Sequence, residues 1–249
     1  MSDLLLAQRL ADTLLYLALS TAAGGALLRR PGWRRIALAA LLAVTALSLL
    51  VLVLQAAALA DAPDESVAPV LTVLLLHSHA GAAWWLGIAA LAATGFCARW
   101  RTASGSLVAL ATFLYTRAMV SHAAGDGDLG WAMAAHWLHL CGACAWAGVV
   151  LVGATAPWQG DSVQALARRL SRVATAALLL VLVSALLRLA LLPNFALAGF
   201  TPYLQALAGK LVLVAGVIAL GAFNRFAGLP ALGEPAGVRR FVQVLRIEA

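Results

Sequence analysis

Long apolar runs alternate with short polar stretches along the whole chain. A run of about 20 apolar residues is long enough to cross a bilayer's hydrocarbon as a helix. By that measure the pattern predicts spans near 4–28, 36–60, 69–97, 105–122, 129–156, 172–192 and 203–223, then a tail at 224–249. The connections are too short to hold a soluble domain, and no internal repeat interrupts the pattern. The expected architecture is an all-α integral membrane protein: one polytopic domain over residues 1–249, built from seven or eight transmembrane helices.

The polar positions between the runs carry orientation. Arg29, Arg30, Arg34 and Arg35 fill the first connection, and Asp61, Asp64 and Glu65 the second. Arg99 and Arg101 lie in the third, Asp126 and Asp128 in the fourth, Arg168, Arg169 and Arg172 around the fifth. The sixth is uncharged, and the tail holds Arg225, Arg239, Arg240 and Arg246. Basic residues thus occupy alternate connections only, which is the positive-inside pattern. It predicts an amino terminus outside, in the periplasm if the cell is Gram-negative, and a cytoplasmic tail.

Composition agrees. The chain is 63% hydrophobic and 11% charged with a mean hydropathy of +0.95, whereas a soluble domain is roughly a quarter charged. The net charge of +7 is read as topology, with the lipid bilayer as partner and no nucleic acid. The amino terminus carries Asp3, Arg9 and Asp12 and lacks a basic leading region, so it is expected to be a retained helix rather than a signal peptide. Cys97, Cys141 and Cys144 lie in or at the ends of apolar runs, which leaves no extracytoplasmic disulfide framework. There is no Gly-rich phosphate loop and no nucleophile with an oriented base, so nothing in the sequence points to hydrolytic or nucleotide chemistry.

Ionisable residues inside spans are costly in hydrocarbon and mark functional sites by default. Ten polar side chains from six spans fall in the outer half: Arg9, Asp12, His77, His79, Arg117, His122, His136, His139, Arg188 and Lys210. At about 1.5 Å of rise per residue, His77 and His79 lie about 12 and 15 Å below the outer start of the third span. His136 and His139 lie about 10 and 15 Å below the start of the fifth. The expectation is a polar chamber open to the periplasm. Its bland counterpart is that Arg9 and Asp12 neutralise each other, Arg188 and Lys210 snorkel outward, and single histidines make interhelical hydrogen bonds.

The segment AAHWLHLCGACAW, Ala134 to Trp146, concentrates the chemistry. At 100° per residue, His136 and His139 share one face and Cys141 and Cys144 another, so the four cannot close on one ion. The Cys-x-x-Cys pair reads either as small hydrophobes packed in a helix or as a relay for a soft metal. Met119 with His122, and Met133 with His136, repeat a three-residue spacing that suits Cu(I).

From Thr116 onward the sequence resembles the copper resistance protein D family of bacterial inner-membrane proteins. The matching pieces are Ser121-His122-Ala123, His139 with Trp146 and Gly148, RRLSRVA (Arg168 to Ala174), YLQALAGKLVLVAGVIALGAFNR (Tyr203 to Arg225) and VLRIEA with Glu248. The first 115 residues resemble it only in their pattern of spans. The resemblance implies a protein that moves copper from periplasm toward cytoplasm beside a periplasmic copper-binding partner, with His122, His139, Trp146, Lys210 and Asn224 as the family-like residues. It departs at Ala147-Gly148, where paired glycines are usual, and at Ser184-Ala185 in place of Ser-Gly. The family also continues into a further helix beyond the position of Glu248.

Three functions compete at this stage. The first is copper handling, with His122 and Met119 as a mouth and His136, His139, His77 or His79 deeper. The buried cations Arg117 and Lys210 oppose it unless paired, for instance with Asp12. The second is a membrane cytochrome in which haem b is held by His77 or His79 opposite His136 or His139, with Arg117 and Lys210 on the propionates and Trp84, Trp85 and Trp137 around the ring. The third is a structural subunit docking a copper chaperone or a respiratory complex.

Overall fold

Interior and exterior are both apolar. Helix α2 (Trp33–Leu59) buries Ala37, Ala40, Leu41, Val44, Ser48, Val51, Leu52 and Ala56, a stripe at three- and four-residue intervals. Leu38, Leu42, Leu49, Leu50 and Val53 point out. Leucines face both ways, and alanine and serine make up half of the buried stripe, as suits a helix whose surroundings are lipid, where close backbone approach supplies part of the packing. The computed structural model describes residues 2–29, 32–60, 66–100, 102–121, 127–158, 163–191 and 202–249. These are helical almost throughout, with no strand among the described residues.

The remaining helices are α1 (Ser2–Leu28), α3 (Val67–His77), α4 (His79–Arg99), α5 (Ala103–Met119), α6 (Trp131–Ala154), α7 (Val163–Ala190), α8 (Pro202–Phe223) and α9 (Pro235–Glu248). Among the described residues, six segments are long and apolar enough to cross a bilayer: Asp3–Leu28, Trp33–Leu59, His79–Arg99, Trp131–Ala154, Val163–Ala190 and Ala208–Gly228. The 17 residues of α5 fall just short, and the 11 of α3 well short.

Helix α1 is central, packed on α2 and α6, with α4 on α5 and α7 on α6. The α1–α6 crossing is set by two glycines. A methyl group on Gly24 would lie 2.0 Å from the Gly148 carbonyl oxygen, and one on Gly148 would lie 2.0 Å from that of Ser20. Gly148 is therefore the glycine that the crossing requires.

At the end of the bundle where α1, α4 and α6 finish, arginines from neighbouring segments donate to terminal carbonyls that helices leave free. Arg34 bonds the carbonyls of Ala98 and Arg99 at 2.8 and 2.9 Å, Arg169 that of Leu27 at 2.7 Å, and Arg246 that of Ala154 at 3.4 Å.

Two expectations change here. The run at 69–97 is two helices, broken at Ser78, whose backbone is extended (φ −125°, ψ 155°). The Ser78 hydroxyl accepts from Gly81 N–H, capping α4. Gly81 lets the first turn of α4 press on the end of α3, since a methyl there would meet the carbonyl oxygens of Leu74 and Leu75 at 2.4 Å. The stretch after α8 is also more than a tail. A π-helical turn (Asn224–Gly228) and a 3₁₀ turn (Pro230–Gly233) fold the chain back into α9. Phe241, Val242 and Leu245 of α9 are then buried against α6 and α7, with Trp158 edge-on to Phe241 at 5.2 Å.

Candidate functional site

The ten outer-half residues do not form one chamber. His122 lies outside the described residues, and the others separate into three groups and some exposed positions.

The first group is an ion pair. Arg117 near the end of α5 bonds Asp12 of α1 at 2.8 Å, with side chains 18% and 31% exposed, and Tyr16 lies against it. Asp12 thus neutralises Arg117, not its helix neighbour Arg9, which is exposed. The second group is His79 with Asp128, Nε2 to carboxylate at 2.7 Å and side chains 54% and 35% exposed. Tyr115 donates to the Asp128 carbonyl. Because the helix breaks at Ser78, His79 starts α4 and His77 ends α3, both exposed. Neither lies deep within one continuous span.

The third group holds the two histidines of α6. At about 1.5 Å per residue, His136 and His139 sit about 8 and 12 Å along from Trp131. His139 turns toward α7, its Nδ1 lying 3.3 Å from the Val181 carbonyl oxygen and 3.2 Å from the Ser184 hydroxyl. A carbonyl only accepts, so Nδ1 carries the hydrogen and Nε2 keeps a free lone pair. Anchoring one ring nitrogen in this way is how a protein orients an imidazole for a metal. His136 is half-buried, and its Nδ1 has no hydrogen-bond partner. Arg188, four residues beyond Ser184, is exposed, yet its charge reaches both rings.

The remaining expected ligands are dispersed. Met119 closes α5 at half-burial, while Met133 is 1% exposed in the core, one turn before His136. Cys144 belongs to the buried core of α1, α2, α4, α5 and α6, and Cys141 packs on it. Both are free thiols, and their surroundings are those of small hydrophobes. Lys210 is exposed on α8. No group of three or more His, Cys, Asp or Glu is placed to hold a metal among the described residues.

The facing histidines that haem requires do not assemble. His79 pairs with Asp128 and His77 is exposed. Helix α4 packs chiefly on α5 and α6 on α1 and α7. Trp137 packs edge-on to Tyr115 at 5.8 Å and donates to the Ala111 carbonyl rather than lining a macrocycle.

At the opposite end a cavity of about 290 Å³ lies between α7 and α8, with α6 and α9 at its side. Trp146, Ser171, Asn224, Arg225 and Glu248 line it. Burial pushes the Glu248 carboxyl up to about 6, against a hydrogen bond from Trp146 that pulls it down.

Residues 1–131 match the family model described as Copper resistance protein D-like, N-terminal domain, which is more than half of the 249 residues. The chain belongs to the copper resistance protein D family. Residues 164–249 match the family's second model, Copper resistance protein D. The family likeness thus extends through the first 115 residues, beyond their pattern of spans. The two matched regions flank α6, the helix that carries His136 and His139, and both pack on it through α1, α7 and α9. Comparison with curated proteins and with solved structures gives no match.

The hydrogen-bond partners of these side chains were not legible in the sequence. Ser184 stood out only as a departure from the family pattern, and Asp128 only as a loop acid. Val181 carries no side-chain signal, because its contribution is a backbone carbonyl.

Proposed function

We propose that this protein takes up copper as Cu(I) from the periplasmic face of the bacterial inner membrane, and that His136 and His139 are its principal ligands. The observation that supports this is the anchoring of His139. With Nδ1–H committed to Val181 and Ser184, Nε2 is aimed and unprotonated, one turn from a half-buried imidazole with an unused nitrogen. Imidazole suits copper, and membership in a copper resistance family gives the pair its cargo. Copper is the substrate in this reading, passing over the pair.

The positive-inside pattern supports an amino terminus outside, with α9 and the basic end in the cytoplasm. Helix α5 then crosses as the seventh span, since α4 ends at Arg99 and Tyr115 reaches the loop before α6. Met119, at the end of α5, stands at the mouth, within reach of a periplasmic copper-binding partner. The Asp12–Arg117 pair removes a cation that would otherwise repel copper. Arg188 is exposed and long enough to turn away, so its repulsion is attenuated.

The test is a competition titration of the detergent-purified protein with a chromogenic Cu(I) chelator under reducing conditions. Outer-shell and ligand changes at such sites typically cost 10–100-fold in affinity. His139→Ala is expected to weaken Cu(I) binding at least about tenfold, and Ser184→Ala by less, with melting temperatures near wild type. Unchanged Cu(I) affinity in a folded His136→Ala/His139→Ala double variant refutes the assignment.

A further inference from the structure

Among the described residues, helix α8 packs little on the rest of the bundle. Leu211, Val212 and Leu213 are exposed, and α8 is held chiefly through α9 and the π-helical turn that follows it. The cavity of about 290 Å³ between α7 and α8 is the gap this leaves. Its walls are apolar, with Ala174 and Leu178 on one side and Val217 and Ile218 on the other. One end is polar.

The charges at that end are not spent on each other. Arg225 donates to the hydroxyls of Ser171 at 3.3 Å and Thr175 at 3.0 Å. Glu248 lines the same cavity, its carboxylate accepting from Trp146. The two are not ion-paired with each other among the described residues. Asn224, only 5% exposed, leaves its Oδ1 without a partner at the same end. An unmatched cation, an unmatched carboxylate and a spare acceptor therefore sit at the foot of an apolar cleft.

We propose that this cleft binds one phospholipid with a zwitterionic amine headgroup, its phosphate on Arg225 with Ser171 and Thr175, its ammonium on Glu248, and its acyl chains between α7 and α8. Each alternative leaves a charge opposed. A metal cation meets Arg225, and a purely anionic lipid meets Glu248. A helix of a second copy fills the walls but leaves both charges without partners. Basic pockets between transmembrane helices are known lipid-headgroup sites, and the carboxylate beside this one selects for an amine.

The test is native mass spectrometry of the protein released from nanodiscs of equal phosphatidylethanolamine and phosphatidylglycerol. Wild type is expected to retain one phosphatidylethanolamine, preferred at least about fivefold. Arg225→Gln is expected to lose retention, and Glu248→Gln to lose the preference by admitting phosphatidylglycerol. Melting curves establish that each variant is folded. The wild-type preference is read without any variant, so it decides the matter even if one of them misfolds. Equal retention of the two lipids by wild type, unaltered retention in Arg225→Gln, or a lipid-free dimer each overturns the proposal. None of these outcomes bears on the copper titration.

Discussion

Replacing Gly148 by alanine tests the geometry on which the bundle depends. The added methyl would lie 2.0 Å from the Ser20 carbonyl oxygen and 2.8 Å from Gly24 N, both backbone atoms that cannot rotate away. Ordinary contact begins at 3.4 Å, so α1 and α6 must part locally by the difference, about 1.4 Å. A gap of 0.5–1 Å already forfeits a quarter to a half of each atom-pair attraction of about 0.1–0.2 kcal/mol. Over a few dozen pairs along the crossing, the loss comes to about 3 kcal/mol. Alanine's better helix propensity returns up to about 1 kcal/mol, leaving a net cost of about 2 kcal/mol. The assay is SDS-induced unfolding in mixed micelles followed by circular dichroism. Gly216→Ala serves as control, since a methyl there meets nothing within 4 Å. Gly24→Ala should cost a similar amount, and the double variant less than the sum, because both substitutions force apart the same crossing. Gly148→Ala unfolding at the same SDS fraction as Gly216→Ala would refute the close approach.

Other expectations are equally direct. Asp12→Asn should destabilise the protein by about 2 kcal/mol, below the 3–5 kcal/mol of a fully buried broken pair because both side chains keep some exposure; adding Arg117→Gln should recover most of it in the same unfolding assay. The Glu248 carboxyl titrates at about 6 when folded against an ordinary 4.5, so the folded state holds the proton more tightly. Stability should therefore fall by about 1 kcal/mol as pH rises from about 4.5 to 6 and then level off; melting curves of Glu248→Gln should lack that step.

What the sequence made legible follows from which forces act along the chain and which across it. Hydropathy acts along it, so five runs appear as helices within three residues of the expectation, α6 among them, while α7 begins at Val163, nine residues before the expected start at 172, because its first turns carry arginines. The break at Ser78 was not legible because VLTVLLLHSHAGAAWWL is apolar on both sides, with neither Gly nor Pro at the break itself. Its available signal was a serine three residues before a glycine, the spacing of a helix cap. Helix α9 was legible in principle, since Val238, Phe241, Val242 and Leu245 repeat at three and four residues, but four nearby arginines drew it into the cytoplasmic tail. Depth alone put His77, His79, His136 and His139 on one level, and depth says nothing about which helices touch. The pairing of Arg117 with Asp12 spans 105 residues, and only packing could choose Asp12's partner between Arg117 and Arg9.

The arginines that tie α2 to α4, α1 to α7 and α6 to α9 all act at one end of the molecule. Helix α6 is fastened there through the Ala154 carbonyl, and its contact with Gly24 at Gly148 lies between that clamp and His139. His139 lies nine residues from Gly148 along α6, a lever arm of about 13 Å at 1.5 Å per residue. Rocking α6 by about 5° would carry the imidazole about 1 Å while the fastened end scarcely shifts. That displacement would be enough to loosen its hydrogen bonds to Val181 and Ser184, so the orientation of the imidazole depends on how firmly α6 is held at its far end.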